Sequence, residues 1–120
     1  MMATLAEFYE VVSTTGTAES WITSVRLNPN HNVYEGHFPG KPVAPGAALT
    51  QMVLDEVALR TADRLVTELR QIKFLTVIDP TQVNELELVF EIKERKGSEM
   101  FTCIGRATET NYFKLNGIFG

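Results

Sequence analysis

The sequence predicts one α+β domain in which antiparallel strands surround a single buried helix. Two observations carry this prediction: a proline-free stretch after Gly46 that is apolar on nearly every side, and later segments in which apolar and polar residues alternate. A helix that is apolar almost all round is buried, so it requires a sheet that curls around it. With 120 residues, 44% hydrophobic and 22% charged, residues 1–120 are expected to form a single domain.

The first two strands are predicted on either side of a short turn. Residues 7–15 are rich in β-branched and aromatic side chains and end at a Thr-Gly-Thr turn, and residues 20–27 alternate in polarity. This pattern predicts a β-hairpin. Residues 28–45 are dense in Asn, Gly and Pro, and each proline removes a backbone hydrogen-bond donor. We therefore expect a long loop between the hairpin and the helix.

The helix is predicted from Gly46 to about Ala62, a stretch of good helix formers. Gln51 and Asp55 are polar and stand four positions apart, so they share one face of this helix. The apolar residues point in nearly every other direction around the axis: Ala47, Ala48, Leu49, Met52, Val53, Leu54, Val57, Ala58 and Leu59.

After Leu65 the hydrophobic pattern changes from the helical period to a period of two. Alternation of this kind is typical of strands with one face in the core. Four antiparallel strands are predicted, with these apolar positions: Ile72, Phe74 and Ile78; Leu86, Leu88, Phe90 and Ile92; Phe101, Cys103 and Ala107; and Phe113, Leu115 and Phe119.

Charge and composition exclude several classes of function. The net charge of −4 argues against nucleic-acid binding, which favours clustered Lys and Arg. No apolar stretch reaches the roughly 20 residues that span a bilayer, and the first residues do not resemble a secretion signal. Cys103 is the only cysteine, so we expect a small buried side chain and a reducing, cytoplasmic location. His31 has no motif around it and is expected to be exposed.

The most specific motif lies in residues 36–46, which read Gly-His-Phe-Pro-Gly-Lys-Pro-Val-Ala-Pro-Gly. This segment resembles the signature of the 3-hydroxyacyl-(acyl-carrier-protein) dehydratases, the FabZ and FabA type of hot-dog protein. A weaker resemblance lies in Lys73-Phe74, followed by Val77 and Pro80. The resemblance implies a hot-dog fold, in which a sheet wraps a central helix, and a homodimer or larger homo-oligomer with active sites at the subunit interface.

The resemblance also implies roles for particular residues. His37 is expected to remove the proton next to the thioester, and the backbone N–H groups of Gly46 and Ala47 are expected to bind the thioester oxygen. The family's acid is a Glu or Asp on the central helix of the partner subunit, which helps the 3-hydroxyl leave as water. At that position this chain has Gln51, and where many members carry Gln, it has Asp55. The acid and the amide are thus exchanged on one helix face, and His37, Gln51 and Asp55 are the candidate catalytic residues.

The leading hypothesis is therefore dehydration of a 3-hydroxyacyl thioester to an enoyl thioester in fatty acid or related lipid or polyketide biosynthesis. The substrate is expected on an acyl carrier protein or on coenzyme A, and neither a metal nor another cofactor is implied. Two alternatives remain open. Asp55 would also suit an acyl thioesterase, and Gln51 in place of the family's acid would suit a domain that binds acyl chains or a carrier protein without catalysis.

Overall fold

A computed structural model describes residues 7–34 and 42–120. The elements in these ranges are β1 (Tyr9–Gly16), β2 (Ser20–Leu27), a short 3-10 turn (Asn32–Tyr34), α1 (Gly46–Arg60), β3 (Val66–Phe74), β4 (Glu85–Arg95), β5 (Ser98–Ala107) and β6 (Thr110–Phe119). The six strands form one antiparallel sheet in the order β1-β2-β4-β5-β6-β3. The predicted α+β arrangement and antiparallel pairing are confirmed.

The core lies between the helix and the inner face of the sheet. Along β4, Leu86, Leu88 and Phe90 are at most 2% exposed, while the residues between them face outward, as alternation requires. The same alternation buries these residues of β5 and β6: Phe101, Cys103, Phe113, Leu115 and Phe119. The strand predictions for this half of the chain are confirmed.

One side of α1 packs against this inner face, and the opposite side does not. Gln51 and Asp55 are exposed, and Leu59 is 67% exposed. The predicted central helix is confirmed, but Leu59, counted among its apolar residues, lies on the side that the sheet does not cover. The residues of α1 that are buried are Ala48, Leu49, Met52, Val53, Glu56 and Val57.

The helix ends at Arg60, before the predicted Ala62, because Ala62 and Asp63 adopt left-handed backbone conformations with φ of 53° and 61°. Such residues do not continue a right-handed helix. Within the described residues, no helix is long and apolar enough to cross a membrane.

Strand β3 forms one edge of the sheet and pairs only with β6. Ile72 and Phe74, predicted to face the core, are 42% and 50% exposed. Leu75 and Val77, which follow the strand, are also exposed, whereas Ile78 is buried. We call Ile72, Phe74, Leu75 and Val77 the apolar edge. Its exposure follows from its position, since an edge strand has a neighbour on one side only.

Candidate active site

The N-terminus of α1 presents backbone donors that the helix does not use. The first N–H group to pair within the helix belongs to Leu49, which donates to the carbonyl of Pro45 at 3.0 Å. The N–H groups of Gly46 and Ala47 precede that bond. In the described part of the chain, no side chain caps this end, and its first turn carries no acidic residue. The helix dipole adds partial positive charge here, so the arrangement suits an anion.

A small recess opens beside this helix end. Its volume is about 290 Å³, and Gly46, Leu49 and Phe74 contribute to its wall together with residues 75–78. The backbone N–H of Ala44, which precedes α1, donates to the carbonyl of Ile78, which follows β3, at 2.8 Å. This hydrogen bond holds the two sides of the recess together. A Cβ atom on Gly46 would lie 2.7 Å from the outer edge of the Phe74 ring, so a larger residue there would require this half-exposed ring to move.

Gln51 and Asp55 are in direct contact on the exposed face of α1. The side-chain amide of Gln51 donates a hydrogen bond of 2.8 Å to Oδ1 of Asp55. The prediction that the two residues share one face is confirmed. Asp55 forms no ion pair with any other described residue, so its second oxygen faces solvent without a fixed cation.

A groove of about 550 Å³ runs from this pair along α1 and β3. One wall is the helix face that carries Gln51, Leu54 and Asp55. The other wall is formed by residues 63–69, among which Leu65, Val66 and Leu69 are apolar. The polar pair therefore stands at the side of a partly apolar channel, a common construction for ligand sites.

His37, the predicted base, lies outside the described residues, and its role stays a prediction. Tyr34 precedes that segment and is 8% exposed, and its hydroxyl has no hydrogen-bond partner among the described residues. Burial, and after it the negative charge of Asp79, raise the pKa of Tyr34 to about 12. Tyr34 therefore stays protonated at neutral pH.

His31 is buried, and the expectation that it is exposed is wrong. Only 7% of it is accessible, its ring packs edge-on against Phe8 with centroids 5.9 Å apart, and its Nδ1 accepts a hydrogen bond from the Val33 N–H at 3.0 Å. The loop that follows β2 passes over Phe8, because the N–H of Asn28 donates to the Phe8 carbonyl at 2.9 Å. No local sequence signal indicates that long-range contact.

The Cys103 thiol and possible metal ligands are the other candidates for chemistry among the described residues. The Cys103 thiol is fully buried in the core, as expected, and burial raises its pKa, so it is not a poised nucleophile. Among residues 7–34 and 42–120, no three His, Cys, Asp or Glu side chains are grouped so that they could hold a metal ion.

Several known proteins are similar to this chain in sequence. The family model described as "ApeI-like: ApeI dehydratase" matches residues 13–114. A 3-hydroxyacyl-(acyl-carrier-protein) dehydratase FabZ from Rhizorhabdus wittichii is 27% identical over 88 residues, which cover 64% of this chain and 55% of the relative. The FabZ of Latilactobacillus sakei is 31% identical over 98 residues, which cover 74% and 66%. The chain thus spans between half and two thirds of the length of these relatives.

Solved structures show the same fold. The dehydratase heterocomplex ApeI:P from Xenorhabdus doucetiae superposes with a TM-score of 0.74 at 18% identity, covering 92% of this chain and 96% of the other. A conserved protein from Pseudomonas aeruginosa gives a TM-score of 0.64 at 19% identity, covering 94% and 87%. The predicted hot-dog fold is therefore confirmed.

Proposed function

Because this chain belongs to the ApeI-like dehydratase family, we propose that it dehydrates 3-hydroxyacyl thioesters to enoyl thioesters. The observation that carries the proposal is the N-terminus of α1, where Gly46 lines a recess and no described residue accepts a hydrogen bond from the N–H groups of Gly46 and Ala47. A thioester carbonyl seated there would gain negative charge during deprotonation of the adjacent carbon, and backbone donors stabilise such charge. The names of the FabZ relatives support a substrate carried on acyl carrier protein.

In the proposed reaction, His37 removes a proton from the carbon next to the thioester, a role for which histidine is suited as a residue type because free imidazole titrates near neutral pH. The electron pair first moves toward the thioester oxygen, which the N–H groups of Gly46 and Ala47 stabilise. It then returns to form the carbon–carbon double bond as the carbon–oxygen bond to the 3-hydroxyl breaks. The hydroxyl takes a proton from Asp55 of the partner subunit and leaves as water, because nine helical residues, about 13 Å, separate Gly46 from Asp55 within one subunit.

In this proposal Asp55 acts as the general acid, and Gln51 positions the carboxyl group of Asp55. An amide has no acidic proton to give, but its N–H can hold a carboxyl group in place. The hydrogen bond from Gln51 occupies Oδ1 of Asp55, which leaves the other oxygen to carry the proton. The groove along α1 and β3 would receive the acyl chain beside this pair.

We further propose that two subunits pair along their β3 strands to form a homodimer. The apolar edge and the unpaired side of β3 support this, because an exposed edge strand is a template for another strand. The Xenorhabdus doucetiae structure is a heterocomplex, so co-expression with a second hot-dog chain tests the alternative that the partner differs. A cytoplasmic location is proposed because a single free and buried cysteine fits a reducing compartment.

The test is incubation with 3-hydroxyacyl carrier protein, with the enoyl product followed by mass spectrometry. His37→Ala is expected to abolish turnover. Asp55→Asn is expected to lower kcat by about 10²- to 10⁴-fold, which is the usual contribution of a general acid to the rate. Asp63→Asn is the matched control, since Asp63 lines the same groove. The exchanged variant Gln51→Glu/Asp55→Gln restores the family arrangement and is expected to retain activity.

Other outcomes would contradict the proposal. Release of free thiol without an enoyl product would indicate a thioesterase. Acyl-ligand binding without turnover, unchanged by His37→Ala, would indicate a domain that only binds. An Asp55→Asn variant as active as Asp63→Asn would remove Asp55 from the acid role.

A further inference from the structure

The groove along α1 and β3 is closed at one end. Its two walls are consecutive in the chain, since α1 continues through residues 61–65 into β3. Two backbone hydrogen bonds of 2.9 Å hold this turn, from the N–H of Asp63 to the carbonyl of Ala58 and from the N–H of Gly120 to the carbonyl of Leu65. A ligand that enters the groove at its open end therefore meets this turn at the other.

Arg64 lies in this turn and contributes to the wall of the groove. The central carbon of its guanidinium group stands 4.0 Å from the centroid of the Phe119 ring, and Nη2 lies 2.9 Å from Oε1 of Glu99. A cation–π contact and an ion pair together hold a planar guanidinium in one place. The positive charge is therefore fixed at the closed end of the groove.

The guanidinium of Arg64 covers an apolar surface that adjoins the groove wall. Val66 lines the groove and is paired with Phe119 in the antiparallel register, so their side chains lie on the same face of the sheet. Phe119 is 6% exposed, and its ring packs against that of Phe101, with centroids 5.8 Å apart. The apolar wall of the groove thus ends where the guanidinium begins.

A fixed cation stops an alkyl chain, whereas an aromatic ring at the same place would let the chain continue. The Arg64 side chain is 35% exposed, so methylene groups packed against it would displace water from a charged group, which costs free energy. The same methylene groups packed against the Phe119 ring would be stabilised by the burial of apolar surface.

We propose that Arg64 ends the acyl groove and limits the length of the acyl chain that the protein accepts. The inference rests on the proposed function for the identity of the ligand, an acyl chain on a thioester. Short chains fit between the open end of the groove and Arg64, and longer chains must displace the guanidinium from Phe119. Arg64 does not touch the reacting atoms, so it determines specificity and leaves the chemical step on short chains unchanged.

The test measures the binding of saturated acyl pantetheine thioesters of increasing chain length to the whole chain by calorimetry. The native protein is expected to lose affinity beyond a particular length. Arg64→Met removes the charge and keeps an unbranched side chain, so it is expected to move this limit to longer chains. It should bind the first chains beyond the native limit about tenfold more tightly, the effect of burying about two methylene groups. Arg64→Lys keeps the charge and is expected to retain the native limit.

Arg70→Met is the matched control. Arg70 also pairs with a glutamate, since its Nη1 lies 3.5 Å from Oε1 of Glu68, but it does not line the groove. This variant is expected to show the native limit. An unchanged limit in Arg64→Met, or an equal shift in Arg70→Met, would overturn the proposal. So would a native protein that binds no acyl pantetheine of any length.

Turnover separates this inference from the proposed function. With 3-hydroxyacyl carrier protein of the same chain lengths, kcat/KM is expected to follow the same limit, and kcat on short chains is expected to be equal in the native protein and in Arg64→Met. A shifted limit in binding without any enoyl product would contradict the proposed dehydration and still support the role of Arg64. Enoyl product with the same length limit in both proteins would overturn the role of Arg64 alone.

Discussion

The hydroxyl of Tyr9 donates a hydrogen bond of 2.6 Å to Oε2 of Glu56 and so joins β1 to α1 across 47 positions of sequence. Glu56 is 1% exposed, and Nη2 of Arg60 lies 4.0 Å from its other oxygen. Arg60 also donates to Oγ1 of Thr14 at 2.9 Å, which ties the helix to the same strand. Burial, and after it the hydrogen bond and charge of Glu56, raise the pKa of Tyr9, so its hydroxyl remains a donor.

Replacing Tyr9 by Phe is expected to lower the free energy of unfolding by about 1.5–3 kcal/mol, the range for a hydrogen bond to a charged group. The loss arises because Glu56 stays buried without its donor. Urea denaturation measures it, with Tyr112→Phe as control, because the Tyr112 hydroxyl makes no hydrogen bond to a described residue. An equal effect in both variants would contradict the assignment. Tyr9→Phe/Glu56→Leu is expected to recover most of the loss.

Replacing Gly105 by Ala is expected to destabilise the core by about 1–3 kcal/mol or more, as overpacking does. A Cβ atom there would lie 2.2 Å from the ring of Phe113, which is completely buried and has no room to move. Thermal unfolding measures the change. In a Phe113→Leu background the same substitution is expected to cost less, and an unchanged cost would show that the ring is not the cause.

Replacing Tyr34 by Phe is expected to change the pH dependence of stability. The pKa of Tyr34 is raised to about 12 in the folded protein, against about 10 for a free tyrosine. As pH rises, the unfolded chain loses the Tyr34 proton before the folded protein does. The stability that Tyr34 contributes through this proton is therefore complete below about pH 10 and is lost as pH rises toward 12. The Tyr34→Phe variant has no such proton, so it does not lose stability in this way. Its stability relative to the native protein should therefore rise above about pH 10.

Urea denaturation at several pH values measures the difference in stability between the Tyr34→Phe variant and the native protein. The titration of Tyr9 contributes equally to both proteins and cancels in this difference. At neutral pH the variant is expected to match or exceed the native stability, because it removes a buried hydroxyl that has no partner among the described residues. A difference between the two proteins that does not vary with pH would contradict the prediction.

Much of the fold is predictable because periodicity is a local property. Leu86, Leu88 and Phe90 alternate with charged residues or valine, and the structure buries that set. The shared face of Gln51 and Asp55 follows in the same way from the pitch of a helix. Such predictions need only the geometry of one element.

The errors come from contacts between distant parts of the chain. His31 is buried because the loop returns over Phe8. Ile72 and Phe74 are exposed because β3 is placed at an edge of the sheet, and an apolar period does not tell an edge strand from a central one.

The sequence by itself determined the elements, the family motif and the residue types offered for catalysis, since these depend on local pattern and composition. The tertiary structure decided which sides remain open: the exposed face of α1, the groove beside it and the apolar edge. It also set the guanidinium of Arg64 over the ring of Phe119. Strand order and register cause these relationships, and they are set by the packing of the whole chain around one core.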